Sequence, residues 1–443
     1  MRFVVNTQAD QRRMLEAIGC ASIDDLFADI PEEILGRFRP LGLPGASELE
    51  VQRAIRALAA RNAEPESIVS FQGGGVYDHH VPSVVRSVTS RSEFATAYTP
   101  YQPEISQGTL TAMFEFQSMI CELAGMEIAN ASMYDGATSL AEAALMAARV
   151  RPGGRILVSE ALFPHWRRVL ETYCWAADID IVDVPISTDG GLDRSALDGE
   201  ASALIVQTPN AFGVLESLAE LGSSLGDTLL IVACNPLALA LVEPPGALGA
   251  DIVVGEGQPL GLPMSFGGPL LGLFATRREL LRQIPGRIVS RTLDTAGNAG
   301  FTLAAQTREQ HIRRERATSN ICTNAALCAL AATVFLALHG ARGLKELSEL
   351  NFRKAHYAAR RLVEDADVEL AFSRPFFNEF TIRIPETPER LLEGLRARGL
   401  ALDPPLAIPH PQANADSLLR IAVTERRTKA EIDHLVDSVK ELL

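Results

Sequence analysis

The chain has 443 residues, 47% hydrophobic and 22% charged, with a formal net charge of −14. That length allows about three folding units, and the composition is that of an ordinary soluble globular protein. The acidic balance leaves no basic stripe to track phosphates, which argues against a nucleic-acid binder.

Met1-Arg2-Phe3-Val4-Val5-Asn6-Thr7 holds no apolar core of signal-peptide length, so a cytoplasmic protein is expected. Residues 10–18 and 47–60 space apolar side chains three to four apart, as amphipathic helices do, around a turn region at Pro40–Pro44. Residues 1–70 read as a helical arm packed on a neighbour, with no core of their own. From about 70 to 110 periodicity fails, and long irregular stretches in compact proteins are usually functional or interfacial. Gly73-Gly74-Gly75 follows no strong βα pattern and precedes no lysine, so neither nucleotide-loop pattern fits. It reads as backbone freedom beneath Tyr77, Asp78, His79 and His80. Adjacent histidines rarely point to one centre, and no metal site is expected. In Tyr98-Thr99-Pro100-Tyr101-Gln102-Pro103-Glu104-Ile105-Ser106-Gln107-Gly108, two prolines hold an extended backbone and two tyrosines offer aromatic faces with hydroxyl tips. Such a loop lines a pocket or interface, or packs on its own domain.

Between 110 and 285, strand candidates at 155–159, 179–184, 203–207, 229–234, 251–254 and 270–275 alternate with helical stretches such as 166–176 and 215–225. This alternation predicts a mostly parallel sheet covered on both faces. Tyr134-Asp135-Gly136-Ala137-Thr138-Ser139 precedes a helical run. Its glycine turn and hydroxyls suit either an anion cup or simple N-capping.

Thr307-Arg308-Glu309-Gln310-His311-Ile312-Arg313-Arg314-Glu315-Arg316 reads as a solvated helix face. Ala317-Thr318-Ser319-Asn320 then stands at the entrance of an apolar helix near 321–338, as capping residues or a phosphate contact. The apolar stretch 325–338 is too short to span a bilayer and reads as a buried helix, so no membrane partner is expected. After about 345 come a helix at 344–364 and strands at 368–373, 378–384 and 418–423. A final helix follows, opened by a Thr428–Glu431 capping pair. The expected domains are the arm 1–70, a large α/β domain 71–330 and a small α+β domain 331–443. Six scattered cysteines, with no C-x-x-C pair, read as reduced thiols.

Lysine is absent before Lys345 although arginine runs along the whole chain. Residues 98–108, 134–144, 249–269 and 285–323, in that order, carry a resemblance to the N-terminal half, or separate subunit 1, of the glycine cleavage system P-protein. The resemblance runs nearly end to end. It implies the aspartate-aminotransferase-like fold of pyridoxal-phosphate enzymes, in which a lysine amine holds the cofactor. The family's catalytic lysine belongs to subunit 2. Counting back from Gly267-Gly268-Pro269, its equivalent here is Gln258, whose amide cannot form an imine. The acid that pairs with the pyridine nitrogen falls near Asn235, which supplies no negative charge. Related subunits often carry His-Pro where this chain has Phe163-Pro164.

The resemblance therefore implies no covalently bound pyridoxal phosphate here. The cofactor is expected on subunit 2, in a heterodimer or heterotetramer that acts on glycine and the lipoyl group of H-protein. The isolated chain is expected to be inactive and to contribute no catalytic residue alone. Thr318, Ser319 and Asn320 match the region reaching the partner's cofactor phosphate, and Tyr98 and Tyr101 the region closing the pocket. Two rival readings are a non-catalytic scaffold or regulatory subunit, and a lysine-free pyridoxal-phosphate enzyme.

Overall fold

The computed structural model describes residues 5–62, 68–219, 221–366, 368–384, 388–406, 408 and 418–443; the first four residues of the N-terminal stretch read above lie outside these. The chain divides into two units, Met1–Glu64 and Pro65–Leu443. In the first, α1 (Gln8–Ile18) opens on a Thr7/Asp10 capping box and stops at Gly19, whose left-handed backbone (φ 87°) ends the helix. Helix α2 (Glu48–Ala59) opens on a Ser47/Glu50 box. Both match the amphipathic periods, yet no described residue of 5–62 is buried.

The second unit begins with β1 (Val69–Ser70), α3 (Gln107–Ala124), β2 (Ile128–Ala129) and α4 (Gly136–Val150). Next come β3 (Arg155–Ser159), α5 (Pro164–Ala176), β4 (Ile181–Val184), β5 (Ala201–Thr208), β6 (Leu229–Cys234), β7 (Ile252–Glu256) and β8 (Gly272–Thr276). Strands β2 to β8 make a seven-stranded sheet in the order β2-β8-β7-β6-β5-β3-β4. Neighbours from β7 across to β4 run parallel, while β8 is antiparallel to both β7 and β2. The two-residue β2 is the strand that no sequence pattern indicated, being too short for any period to register.

Alternation along these strands sends side chains to two apolar layers. On one face Leu204, Val206, Leu230, Val232 and Val253 join Phe116 and Ile120 of α3. On the other, Ala203, Ile205, Ile231, Ile252 and Val254 join Leu140 and Met146 of α4 and Trp166 and Leu170 of α5.

Beyond the sheet lie the hairpin β9 (Ile288–Leu293) and β10 (Ala299–Ala304), then the long helix α6 (Ala326–Asp365). The sequence reads α6 as two helices. They are nearly continuous, interrupted only at Gly340, where φ is 58° and ψ −178°. An apolar window of α6 is long enough by length and composition to cross a bilayer, contrary to the sequence reading. Half of it is buried inside the protein, where Phe335 and Leu336 complete the α3 layer.

The C-terminal layer holds β11 (Glu369–Leu370), β12 (Glu379–Arg383), α7 (Pro388–Ala397), β13 (Leu400–Ala401), β14 (Leu418–Ala422) and α8 (Lys429–Leu442). Strands β11, β12 and β14 form an antiparallel sheet over which α6, α7 and α8 pack. Strand β1 pairs with β13, so the start of this unit is stitched to its end.

Three expectations are corrected. Of 215–225, the described helix is only Leu221–Ser224. The expected strand at 368–373 shortens to β11. The charge run is no solvated helix face but three single turns, 306–308, 310–313 and 314–316, with Arg308 and Glu309 buried. Arg308 there gives its guanidinium donors to the carbonyls of Ala305, Ile284 and Gly286, so tertiary carbonyls outcompete water for it.

Candidate functional site

Open α/β sheets bind ligands beyond the carboxyl ends of their parallel strands. Here that edge carries Asn235 after β6, and Glu256 and Gln258 at the end of β7. Gln258 is fully buried. Its Oε1 accepts the Tyr77 N–H at 2.9 Å, and its Nε2 donates to the carbonyls of Tyr77 (3.0 Å) and Leu262 (2.8 Å). Both N–H donors of the amide and one of its two oxygen lone pairs are thus spent on holding Tyr77 and Leu262 at the sheet edge.

That segment is held equally firmly from the other side. The Tyr77 hydroxyl donates to Glu379 at 2.9 Å, and the N–H groups of Gly74 and Gly73 donate to Glu379 and Asp403. Arg420 lies between these carboxylates, 3.5 Å from Glu379 and 2.7 Å from Asp403, with its guanidinium 5.3 Å from the centre of the Phe163 ring. Burial raises the Glu379 carboxyl against the pull of Arg420. Burial works against the Arg420 charge, and the two carboxylates more than restore it.

The triple glycine is explained by approach distance. A Cβ at Gly73 would stand 2.5 Å from the Glu379 carboxylate, and one at Gly74 would stand 2.3 Å from Arg420. The sequence reading of backbone freedom was therefore incomplete: these glycines admit side chains of the C-terminal layer. His79 is likewise fixed, its Nδ1 2.7 Å from Glu425.

The possible anion cup at α4 is also filled. The Gly136 N–H donates to Glu256 at 2.9 Å, and Asp135 accepts the Thr138 N–H at 2.8 Å. The Ser139 hydroxyl donates to the Asp135 carbonyl. Two carboxyl groups at one helix N-terminus leave the dipole satisfied and would repel a phosphate. The capping alternative is the one realised. Burial pushes the Glu256 carboxyl up to about 7 despite three backbone N–H donors.

A cavity of about 10 Å³ remains between Gly75, Tyr77, Phe163, Trp166, Asn235 and Glu256. That is room for about one water molecule. Asn235 is 9% exposed and accepts the Leu237 N–H at 3.0 Å, while its Nδ2 has no partner among the described residues. An amide donor, a glutamine, and a space this small do not fit pyridoxal phosphate. A roomier cleft of about 680 Å³ lies beside Gly154 and Arg155, at the opposite, amino-terminal edge of the strands.

The other proposed site residues lie on a second, connected block. Thr318, Ser319 and Asn320 are not at a helix entrance, since α6 starts only at Ala326. The Thr318 N–H donates to the Arg308 carbonyl at 3.0 Å. The Ser319 hydroxyl turns inward to Glu142 (2.8 Å), and Asn320 is exposed. Tyr101 is half-buried; its hydroxyl donates to Asn324 at 2.7 Å and also contacts Thr323. The Arg287 guanidinium covers its ring at 4.9 Å and pairs with buried Glu309. Tyr98 is 94% exposed. The structure thus joins Tyr101 to the 305–325 segment through Arg287, but gathers neither Tyr98 nor Asn320 into it.

The sequence reading names Tyr77 without a partner and misses Glu256, Glu379, Asp403 and Arg420. A signal existed for three of them: Arg420 is a charge inside a short apolar strand run, and Glu256 and Glu379 stand at the ends of two others, where a buried ionisable group has to find a partner.

The layered α/β unit, with its mixed seven-stranded sheet and antiparallel C-terminal layer, defines the fold of type I pyridoxal-phosphate enzymes. Lactobacillus brevis glutamate decarboxylase shares that fold at a TM-score of 0.67 and 14% identity, with 93% of this chain and 96% of that one covered. The glycine cleavage system P-protein family model matches residues 1–439, and the chain belongs to that family. A crystal structure of glycine decarboxylase (P-protein) of the glycine cleavage system, in inhibitor-bound form, superposes at a TM-score of 0.90. It is 44% identical and covers all of both chains. The probable glycine dehydrogenase (decarboxylating) subunit 1 of Geobacillus kaustophilus is 48% identical over 99% of this chain and 98% of the relative. That of Bacillus licheniformis is 49% identical over 99% and 98%.

Proposed function

We propose that this chain is the cofactor-free subunit of a heteromeric glycine decarboxylase. With subunit 2, which carries pyridoxal phosphate, it releases the carboxylate of glycine as carbon dioxide and passes the aminomethyl group to the lipoyl group of H-protein. The complex is a heterodimer or heterotetramer of the cytoplasm, and the isolated chain is inactive. One observation carries the division of labour: the Gln258 amide and residues 73–77 fill the space where a chain of this fold would hold its own cofactor. The same filling weighs against a lysine-free cofactor enzyme.

In this reading the chain supplies structure and reach. Tyr101, fixed by Asn324 and Arg287, holds the loop that closes the partner's pocket, with Tyr98 at its exposed tip. Thr318 is the phosphate-side contact. Ser319 positions the loop through Glu142, and Asn320 faces outward toward the interface. The domain arrangement is an arm to about 70, a large domain to about 330 and a small domain after it. Among the described residues, half of the large exposed apolar side chains, from Val5 to Leu58, lie in the arm, which packs on subunit 2.

The test is glycine–bicarbonate exchange by each subunit alone and by the mixture, with assembly followed by size-exclusion chromatography. Exchange is expected only in the mixture. Thr318→Ala and Tyr101→Phe should lower it without loss of assembly. Exchange by this chain alone would refute the division of labour, and full activity of both variants would reduce the chain to a scaffold.

A further inference from the structure

Residues 277–316 carry nine arginines against four carboxylates, Glu279, Asp294, Glu309 and Glu315, in a chain whose net charge is −14. Folding converts part of this local excess into a cavity of about 550 Å³ bounded by Arg282, Arg308, Arg313, Arg316 and Thr318, with no carboxylate among its lining residues. Such a volume suits a small organic ligand.

The arginines are not cancelled from within. Arg308 is buried, and its guanidinium donors go to backbone carbonyls, which satisfy the N–H groups but not the charge. The neighbouring Glu309 is already committed to Arg287. Arg313 uses its Nε on the Thr307 carbonyl at 3.2 Å, which orients the side chain and leaves its terminal nitrogens unspent in that bond. Among the described residues Arg316 has only a loose, exposed pairing with Glu315 at 3.8 Å. Thr318 is held beside them by its N–H bond to the Arg308 carbonyl. Planar guanidinium forks with a neighbouring hydroxyl match the oxygens of a tetrahedral dianion. By contrast, the helix terminus at Gly136 is closed to phosphate by Asp135 and Glu256.

We propose that this cavity binds a phosphate monoester, with Arg313 and Arg316 as its movable clamps, Thr318 as a hydroxyl donor and Arg308 as the fixed charge in its wall. Only the source of the phosphate rests on the two-subunit reading: it comes from the partner's cofactor or from a free phosphorylated metabolite.

The experiment titrates inorganic phosphate into the full chain at low ionic strength by calorimetry. Binding is expected, weakened by added salt, and weakened about ten-fold for each guanidinium removed in Arg313→Gln and Arg316→Gln. Both side chains are exposed, so these variants should keep the wild-type melting temperature. Arg291→Gln, on the β9 hairpin, serves as a control for general charge and should bind as wild type. No binding, wild-type affinity in the double variant, or an equal loss in the Arg291 control would each overturn the proposal. Repeating the titration with the subunit 1–subunit 2 complex separates the sources. Phosphate binding abolished by cofactor-loaded subunit 2 assigns the cavity to the partner's cofactor, and unchanged binding assigns it to a free ester. Exchange activity without phosphate binding would sink this inference alone, whereas phosphate binding without exchange activity would sink only the two-subunit reading.

Discussion

Gln258 is defined by what its amide does, and this makes introducing a lysine there an informative failure. In Gln258→Lys the Tyr77 N–H loses its acceptor, and an ammonium enters a fully buried position. A loss of about 2–4 kcal/mol is expected in urea denaturation. Borohydride treatment with excess pyridoxal phosphate, followed by intact mass, should show no reduced adduct on the large domain of this variant or of wild type. Arg420→Ala should cost about 3–5 kcal/mol, because Glu379 and Asp403 would be left buried without their cation. Equilibrium unfolding checks it; a loss below 1 kcal/mol would mean the two carboxylates simply take up protons.

Glu256 gives a pH signature. Its folded carboxyl is raised from 4.5 to about 7, so the native state binds the proton more tightly than the unfolded chain. Its stabilising contribution is full below about pH 4.5 and is lost as pH rises through about 7. The stability difference between wild type and Glu256→Gln should therefore shift against wild type from pH 5 to pH 8. Urea midpoints at several pH values read this directly, and a pH-independent difference would contradict the raised carboxyl.

At the level of elements, the long helix and the charge run make opposite points. The apolar period of 325–338 and the capping pair at Thr428 were legible because they depend on neighbours within a turn or two. The break between the two halves of α6 was legible too, since Gly340 falls between the two helices that the sequence reads there and its backbone is not helical. Gly340 adopts a backbone region that disfavours any side chain, and a Cβ there would meet nothing within 4 Å. Gly340→Ala should thus cost about 1–3 kcal/mol from backbone strain alone, measured as a lower melting temperature. An unchanged value would mean that the break straightens at no cost. The 307–316 segment reads as a solvated helix because charge density is a local property. Only the approach of the Ile284 and Gly286 carbonyls turned Arg308 inward.

For the molecule as a whole, the unit at residues 5–62 contains no buried residue, although its helices are capped and amphipathic. Helices this short are marginal without tertiary packing. Limited proteolysis should cut this unit first in the isolated chain, and adding subunit 2 should slow that cleavage several-fold if the arm packs on the partner. Equal cleavage rates would remove the arm from the interface.

The sequence by itself determined the alternating α/β architecture, because strand and helix periods are written within ten residues. It also determined that no lysine could serve the large domain, since that is a matter of composition. The resemblance placed glutamine and asparagine at the cofactor positions. What fills the space beside Gln258 was decided only by the fold. Tyr77, Gln258, Glu379, Asp403 and Arg420 come from segments more than 100 residues apart, apart from the 379–420 cluster. They meet because the C-terminal layer closes over the carboxyl edge of the sheet. The arginine cavity beside Thr318 was hidden for the same reason: sequence counts the charges, but only packing shows which are neutralised.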